Sequence, residues 1–181
     1  MQKSMAQNLP VVMEKKMKLS PIEKTNGLFD ETKREPDITF FDNVISQMDV
    51  DVIDLHSLND EEVIELCKNI LKELCNSDMN MRKYFNSDII YPTVHTYTYD
   101  SYPEPFHGPA DGCVISCCFA KGWSKNWGGE YITFHDTEPE DIIASFPGRV
   151  YVSEGTPWCK ITQPNINAKR DLVYLQFRVL K

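Results

Sequence analysis

The chain has 181 residues, 41% of them apolar, and a formal net charge of −8. That length suits one domain with an appended arm, and the negative charge opposes nonspecific attraction to phosphate backbones, so nucleic-acid binding is not expected. No apolar run is long enough to cross a bilayer, and Met1 to Pro10 has no apolar signal core, so the expectation is a cytoplasmic protein away from membranes.

Residues 1–36 show no sustained hydrophobic period. Pro10, Pro21, Gly27 and Pro36 interrupt them, charges are frequent, and Lys15-Lys16 with Lys18 reads as a solvated basic cluster. This composition predicts an extended N-terminal arm, packed either against its own domain or on other protein subunits as its partners. The globular domain is expected over 37–181.

Ile38-Thr39-Phe40-Phe41 and Val50 to Leu55 read as short β-prone pieces. Asn59 followed by Glu62 forms a capping-box pattern. Behind it Val63, Ile64, Leu66, Cys67, Ile70, Leu71, Leu74 and Cys75 recur at spacings of three and four. The pattern predicts an amphipathic support helix over 60–75, packed on a sheet. Asn80 to Phe85 suggests a short second helix.

Strand patterns follow over 91–181. Val94 to Tyr99 alternates, and Cys113 to Ala120 is almost continuously apolar, as a central strand covered on both faces would be. Glu130 to Phe134, Ile142 to Phe146 and Val150 to Val152 read as short strands, with an acidic, solvated loop at Asp136, Glu138, Glu140 and Asp141. Asp171 to Leu180 alternates strictly: Val173, Leu175, Phe177 and Val179 share one face, Leu172, Tyr174 and Gln176 the other. The fold class is therefore α+β, mainly β: a β-sandwich or jelly roll backed by N-terminal helices.

The six cysteines, Cys67, Cys75, Cys113, Cys117, Cys118 and Cys159, form no C-x-x-C pair, and Cys117 and Cys118 point to opposite faces of one strand. They read as reduced, buried, small apolar side chains. No nucleophile elbow, phosphate loop, dinucleotide fingerprint or H-E-x-x-H motif occurs.

Trp123, Trp127-Gly128-Gly129-Glu130, the Pro147-Gly148-Arg149 turn and Arg170 before the last apolar strand occur in a telling order. Over roughly 91–181 this order resembles the catalytic half of iron(II)/2-oxoglutarate oxygenases of the prolyl-hydroxylase type, with the phage and bacterial members most alike. The resemblance implies a double-stranded β-helix whose mouth holds iron and 2-oxoglutarate. It implies that Arg170 would grip the distal carboxylate of the cosubstrate, with Tyr174 facing the same pocket. The iron of that family sits in a facial triad of two histidines and one carboxylate.

The match breaks at the metal. His107 is the candidate first histidine and Asp111 its acid, but the spacing is four rather than two. An extended strand would separate them by about 13 Å, so Gly108-Pro109-Ala110 must turn. An alignment on the Cys113 strand instead leaves only Glu104 as a polar residue near the motif. Where the distal histidine belongs, the chain reads Pro157-Trp158-Cys159. His135 lies on the wrong side of the Pro-Gly-Arg turn, His95 reads as a hydrogen-bonded sheet residue and His56 as a surface or capping residue.

The first expectation is thus a non-catalytic, oxygenase-like jelly roll with no cofactor, serving as a structural or assembly protein such as a phage virion component. The alternative is an active hydroxylase with atypical ligands, using His107, Asp111 and Cys159 for Fe(II) and Arg170 for 2-oxoglutarate. A third reading is a cupin-like binding domain for a small molecule.

Overall fold

The computed structural model describes residues 38–135 and 138–181. The arm expected over 1–36 lies outside them. After strand β1 (Ile38–Phe41) the chain turns into helix α1 (Gln47–Val52), a 3-10 turn at Leu55–Ser57, and the long helix α2 (Asp60–Ser77). The strand expected from Val50 to Leu55 is therefore largely helical. Ser46 explains the difference: its side chain caps α1 by accepting from the Asp49 amide at 3.1 Å, and this local bond overrides the weak β-propensity of the valines.

Helix α2 forms where its periodicity predicts. The Asn59 side chain accepts from the Glu62 amide at 3.0 Å, while Glu62 accepts from the Asn59 amide at 2.9 Å. Asp60, Glu61 and Glu62 place negative charge at the positive end of the helix. Its buried stripe, including Cys67, Ile70, Leu71 and Leu74, packs into a core with Cys113, Ile115, Cys117, Leu175, Phe177 and Val179. The expected second helix is a 3-10 turn at Met81–Tyr84.

The remaining strands are β2 (Ile89–Tyr97), β3 (Phe106–His107), β4 (Gly112–Cys118), β5 (Tyr131–His135), β6 (Glu138–Ile143), β7 (Val150–Glu154), β8 (Trp158–Ile161) and β9 (Leu172–Leu180). Among the described residues they form two antiparallel sheets. One is ordered β1-β7-β4-β9-β2 and the other β3-β8-β5-β6. From β2 onward successive strands switch sheets, apart from the β5–β6 hairpin. That alternation winds the chain as a double-stranded β-helix, the jelly roll expected from the sequence.

Strand β4 is buried along its whole length, between β7 and β9. Alternation sends Ile115 and Cys117 toward α2, and Ser116 and Cys118 into the space between the sheets. Part of the expected acidic loop is strand β6, with Glu138, Glu140 and Asp141 exposed. An edge strand tolerates such charges because only one side is paired.

The Pro147-Gly148-Arg149 turn ties several of these elements together. Gly148 takes φ +78°, and its amide donates to the Cys118 carbonyl at 2.8 Å. Arg149 forks onto Asp42 at 2.6 and 2.8 Å, lies over the Phe40 ring, and donates to the Ala144 carbonyl at 3.0 Å. The guanidinium pins the turn after β1 to the start of β7 and holds the Asp42 carboxyl below its usual pKa through that hydrogen bond.

Two substitutions test this packing. Leu74→Ala, at a fully buried position, is expected to destabilise the domain by about 2–5 kcal/mol. Asn59→Ala should cost about 1 kcal/mol through loss of the cap. Both are read from the midpoint of urea unfolding.

Candidate functional site

The space between the two sheets is where a jelly roll of this kind would hold a ligand, and strand register states which residues face it. From the larger sheet come Tyr151 and Ser153, Ser116 and Cys118, Leu172, Tyr174 and Gln176, and His95 and Tyr97, which lie opposite one another across β7, β4, β9 and β2. From the smaller sheet come Phe106, Tyr131, Thr133, Cys159 and Ile161, likewise matched across β3, β8 and β5.

Aromatic rings pack together through part of that space. Tyr131 and Tyr151 stack with centroids 4.4 Å apart and planes within 5°. Tyr151 meets Tyr174 at 6.1 Å, Tyr174 meets Tyr97 at 6.4 Å, and Phe106 sets its edge on Tyr131 at 5.9 Å. The line of rings runs from one sheet to the other. Tyr131, Tyr151 and Tyr174 are fully buried.

Their hydroxyls are matched inside the barrel. Tyr131 Oη lies 3.1 Å from Ser153 Oγ, which lies 3.2 Å from Cys159 Sγ. Tyr174 Oη lies 2.7 Å from Ser145 Oγ, and that serine donates to the Gly129 carbonyl. Tyr151 donates to the Ala144 carbonyl at 2.9 Å. Burial pushes the Tyr151 phenol up to about 12 and those of Tyr131 and Tyr174 well above their ordinary value. The network holds neutral phenols.

The Trp-Gly-Gly-Glu segment supports this interior. Gly128 and Gly129 both take positive φ, +81° and +75°. A Cβ on Gly129 would come within 2.4 Å of Leu172 Cδ2, so the backbone lies directly on the β9 side chain. Trp123 packs edge-on against Trp127 at 5.3 Å and donates its indole N–H to the Gly128 carbonyl at 3.3 Å. The Glu130 amide donates to Thr162 Oγ1 at 2.8 Å.

The residues expected at the metal and cosubstrate lie apart. His107 pairs with Trp158 in the β3–β8 ladder, and their rings meet at 4.9 Å. Their neighbours Phe106 and Cys159 take the inward places, so the imidazole and the indole sit on the outer face, where Trp158 is 48% exposed. Asp111 is exposed in a turn closed by the Gly112 amide donating to the Pro109 carbonyl at 3.2 Å. The Gly-Pro-Ala segment does turn, but no ion pair joins Asp111 to His107 among the described residues.

Tyr174 lies inside the barrel. Arg170 is exposed before the start of β9 and donates to the Lys121 carbonyl at 3.3 Å. The His107 backbone carbonyl accepts from Arg178, near the other end of the same strand, at 3.5 Å. Eight extended residues separate these arginines, about 26 Å. Among the described residues no group of His, Cys, Asp or Glu side chains comes together as metal ligands. His95 stacks on Tyr97 at 5.9 Å, with burial pulling its pKa down, and His56 meets Thr96 Oγ1 at 2.9 Å on the surface.

Sequence reasoning did not single out Tyr131, Tyr151 or Tyr97. The signal was present as a small alternation, Tyr131 with Thr133 and Tyr151 with Ser153, on strands whose facing partners were unknown. The cysteines are all free and buried, as expected. Burial raises Cys67, Cys113 and Cys118 to about 12 and raises Cys159.

No family model matches the sequence, and no curated protein does. Among solved structures, the chain is similar to a Pseudomonas putida prolyl-4-hydroxylase, with 15% identity and a TM-score of 0.47, over 84% of this chain and 72% of that one. The jelly-roll assignment rests on the strand order given above.

Thiol chemistry checks the closed interior. A raised pKa leaves little thiolate at pH 8, and each unit removes about tenfold of it. Iodoacetamide is expected to leave Cys117, Cys118 and Cys159 unmodified in the native protein and to alkylate them in denaturant, as peptide mass mapping would report.

Proposed function

We propose that this chain is a non-catalytic jelly roll resembling the iron(II)/2-oxoglutarate oxygenases, kept as a structural or assembly module of the kind used in phage particles. The observation that carries the reading is the aromatic packing between the sheets. Packed rings of Tyr131, Tyr151 and Tyr174 take up part of the space between the sheets, with their hydroxyls bonded to Ser153, the Ala144 carbonyl and Ser145 respectively. Opening it would break aromatic contacts worth about 0.5–1.5 kcal/mol each beyond their burial, and would strand buried polar groups.

The iron of the resembling family does not fit the donor set. His107 and Trp158 face outward, the indole offers no lone pair to a metal, and burial favours the protonated form of the Cys159 thiol. Arg170 donates to the Lys121 carbonyl on the outside, so it does not serve as the cation that a dicarboxylate would need between the sheets. The motifs shared with the oxygenases have architectural work in this chain: Gly129 lies on Leu172, and Arg149 clamps Asp42. Assembly through the arm at 1–36 is part of the same proposal.

Iron binding and turnover test it. The purified chain is expected to take up no stoichiometric Fe(II) and to release no succinate from 2-oxoglutarate. Trp158→His should not change this, because the new imidazole would point away from the barrel. Stoichiometric iron with turnover in either protein would overturn the reading. Removing residues 1–36 is expected to abolish self-association or incorporation into a larger particle, measured by light scattering. Unchanged assembly would exclude the arm.

A further inference from the structure

We infer that the cavity between β2, the end of β9 and the segment 101–106 is a binding site for a neutral oligosaccharide. It has a volume of about 560 Å³, within the range of small-molecule sites. It lies beside the stacked tyrosines, and His95, Tyr97, Phe106 and Gln176 line it from the inward faces of their strands. The scaffold reading does not require it.

The first observation is the chemistry of the lining. Tyr91, Tyr97 and Tyr102 supply rings, and His95, Gln176 and Arg178 supply hydrogen-bonding edges. A sugar ring has apolar C–H faces and a rim of hydroxyls. Tyrosine rings suit the faces, and planar amide, imidazole and guanidinium groups suit paired hydroxyls. Gln176 is fixed by donating to Ser116 Oγ at 3.0 Å, so its amide is held in place before any ligand arrives.

The second observation is backbone geometry. Tyr91 has φ +51°, a left-handed conformation that a bulky residue adopts only when its surroundings impose it. It sits in an irregularity of the β2–β9 ladder between Ile90 and Thr93. Bulges of this kind re-aim a side chain. Here the Tyr91 ring is 70% exposed at the cavity rim, with the Arg178 guanidinium 5.8 Å from its centroid. Tyr102, on the facing segment, is 89% exposed.

Charge selects the class of ligand. Arg178 and Glu104 line the same cavity, and burial favours the neutral form of His95. The cation and the carboxylate offset one another, so neither an anion nor a cation is favoured. An extended peptide is a poorer match. Strand β2 is a sheet edge, but Pro92 lacks an amide hydrogen and the bulge breaks the ladder, so backbone pairing is blunted. Recognition there falls to side chains.

The full chain would be titrated by calorimetry with neutral oligosaccharides built of glucose, galactose or N-acetylglucosamine, and with a proline-containing peptide. At least one sugar series is expected to bind. Tyr102→Ala and Tyr91→Gly should each weaken it about three- to tenfold, the size of one lost aromatic contact. Tyr91→Gly also relieves the left-handed backbone, so it should fold at least as well as the wild type. Ile166→Ala, at an exposed site outside the cavity, should bind as the wild type does. Failure of every sugar to bind, unchanged affinity in both tyrosine variants, or binding of the peptide alone would overturn the inference. Iron-dependent turnover would sink the scaffold proposal and leave this site standing.

Discussion

Burial of β4 on both faces is the constraint from which the rest of the domain follows. All of β4 is withdrawn from solvent, so each face must be covered by a separate layer. Helix α2 covers one face, through Cys67, Ile70, Leu71 and Leu74, against Ile115, Cys117, Leu175 and Phe177. The smaller sheet covers the other, through Tyr131, Cys159 and Ile161 against Cys118, Tyr151 and Tyr174. Backbone alternation then divides the side chains: a mainly aliphatic core behind the sheet, which also holds Phe177 and Tyr84, and a mainly aromatic, hydroxyl-bearing one in front.

These two cores behave differently because their chemistry differs. Most of the aliphatic one needs volume and shape, and each buried Leu-sized side chain contributes about 1.5–3 kcal/mol. The aromatic one brings hydroxyls with it, and each must be matched or it costs about 1–3 kcal/mol. Ser145, Ser153 and Ser116 perform that matching for Tyr174, Tyr131 and Gln176. Such a connected set of hydroxyls favours a single packing of the rings.

The motifs that carry the resemblance to oxygenases serve this architecture. Trp123 and Trp127 pack beside the glycine pair whose backbone lies on Leu172, and the Pro-Gly-Arg turn joins Cys118 to Arg149 and so to Asp42. Turn chemistry of this sort is demanded by the jelly roll itself, whatever the mouth of the barrel does. A likeness built on such turns therefore speaks to the winding of the chain. The chemistry of the site has to be argued from the donors and their directions.

Local order was written plainly in the sequence. The Asn59 cap, the three-and-four stripe of α2, the apolar run of β4 and the alternation of β9 are all short-range patterns, and each reappears where it was expected. Val50 to Leu55 misled because the Ser46 cap competes with weak β-propensity, and β3 and β8 escaped notice because two and four residues carry too little pattern. What only the tertiary structure decided is direction across space. Whether His107 faces the barrel or solvent depends on its register with Trp158, and whether Arg170 meets Tyr174 depends on where the chain turns before β9. Period-two alternation ranks neighbours on one strand, but long-range pairing settles which face is inside, and that information lies in contacts between residues far apart in the chain.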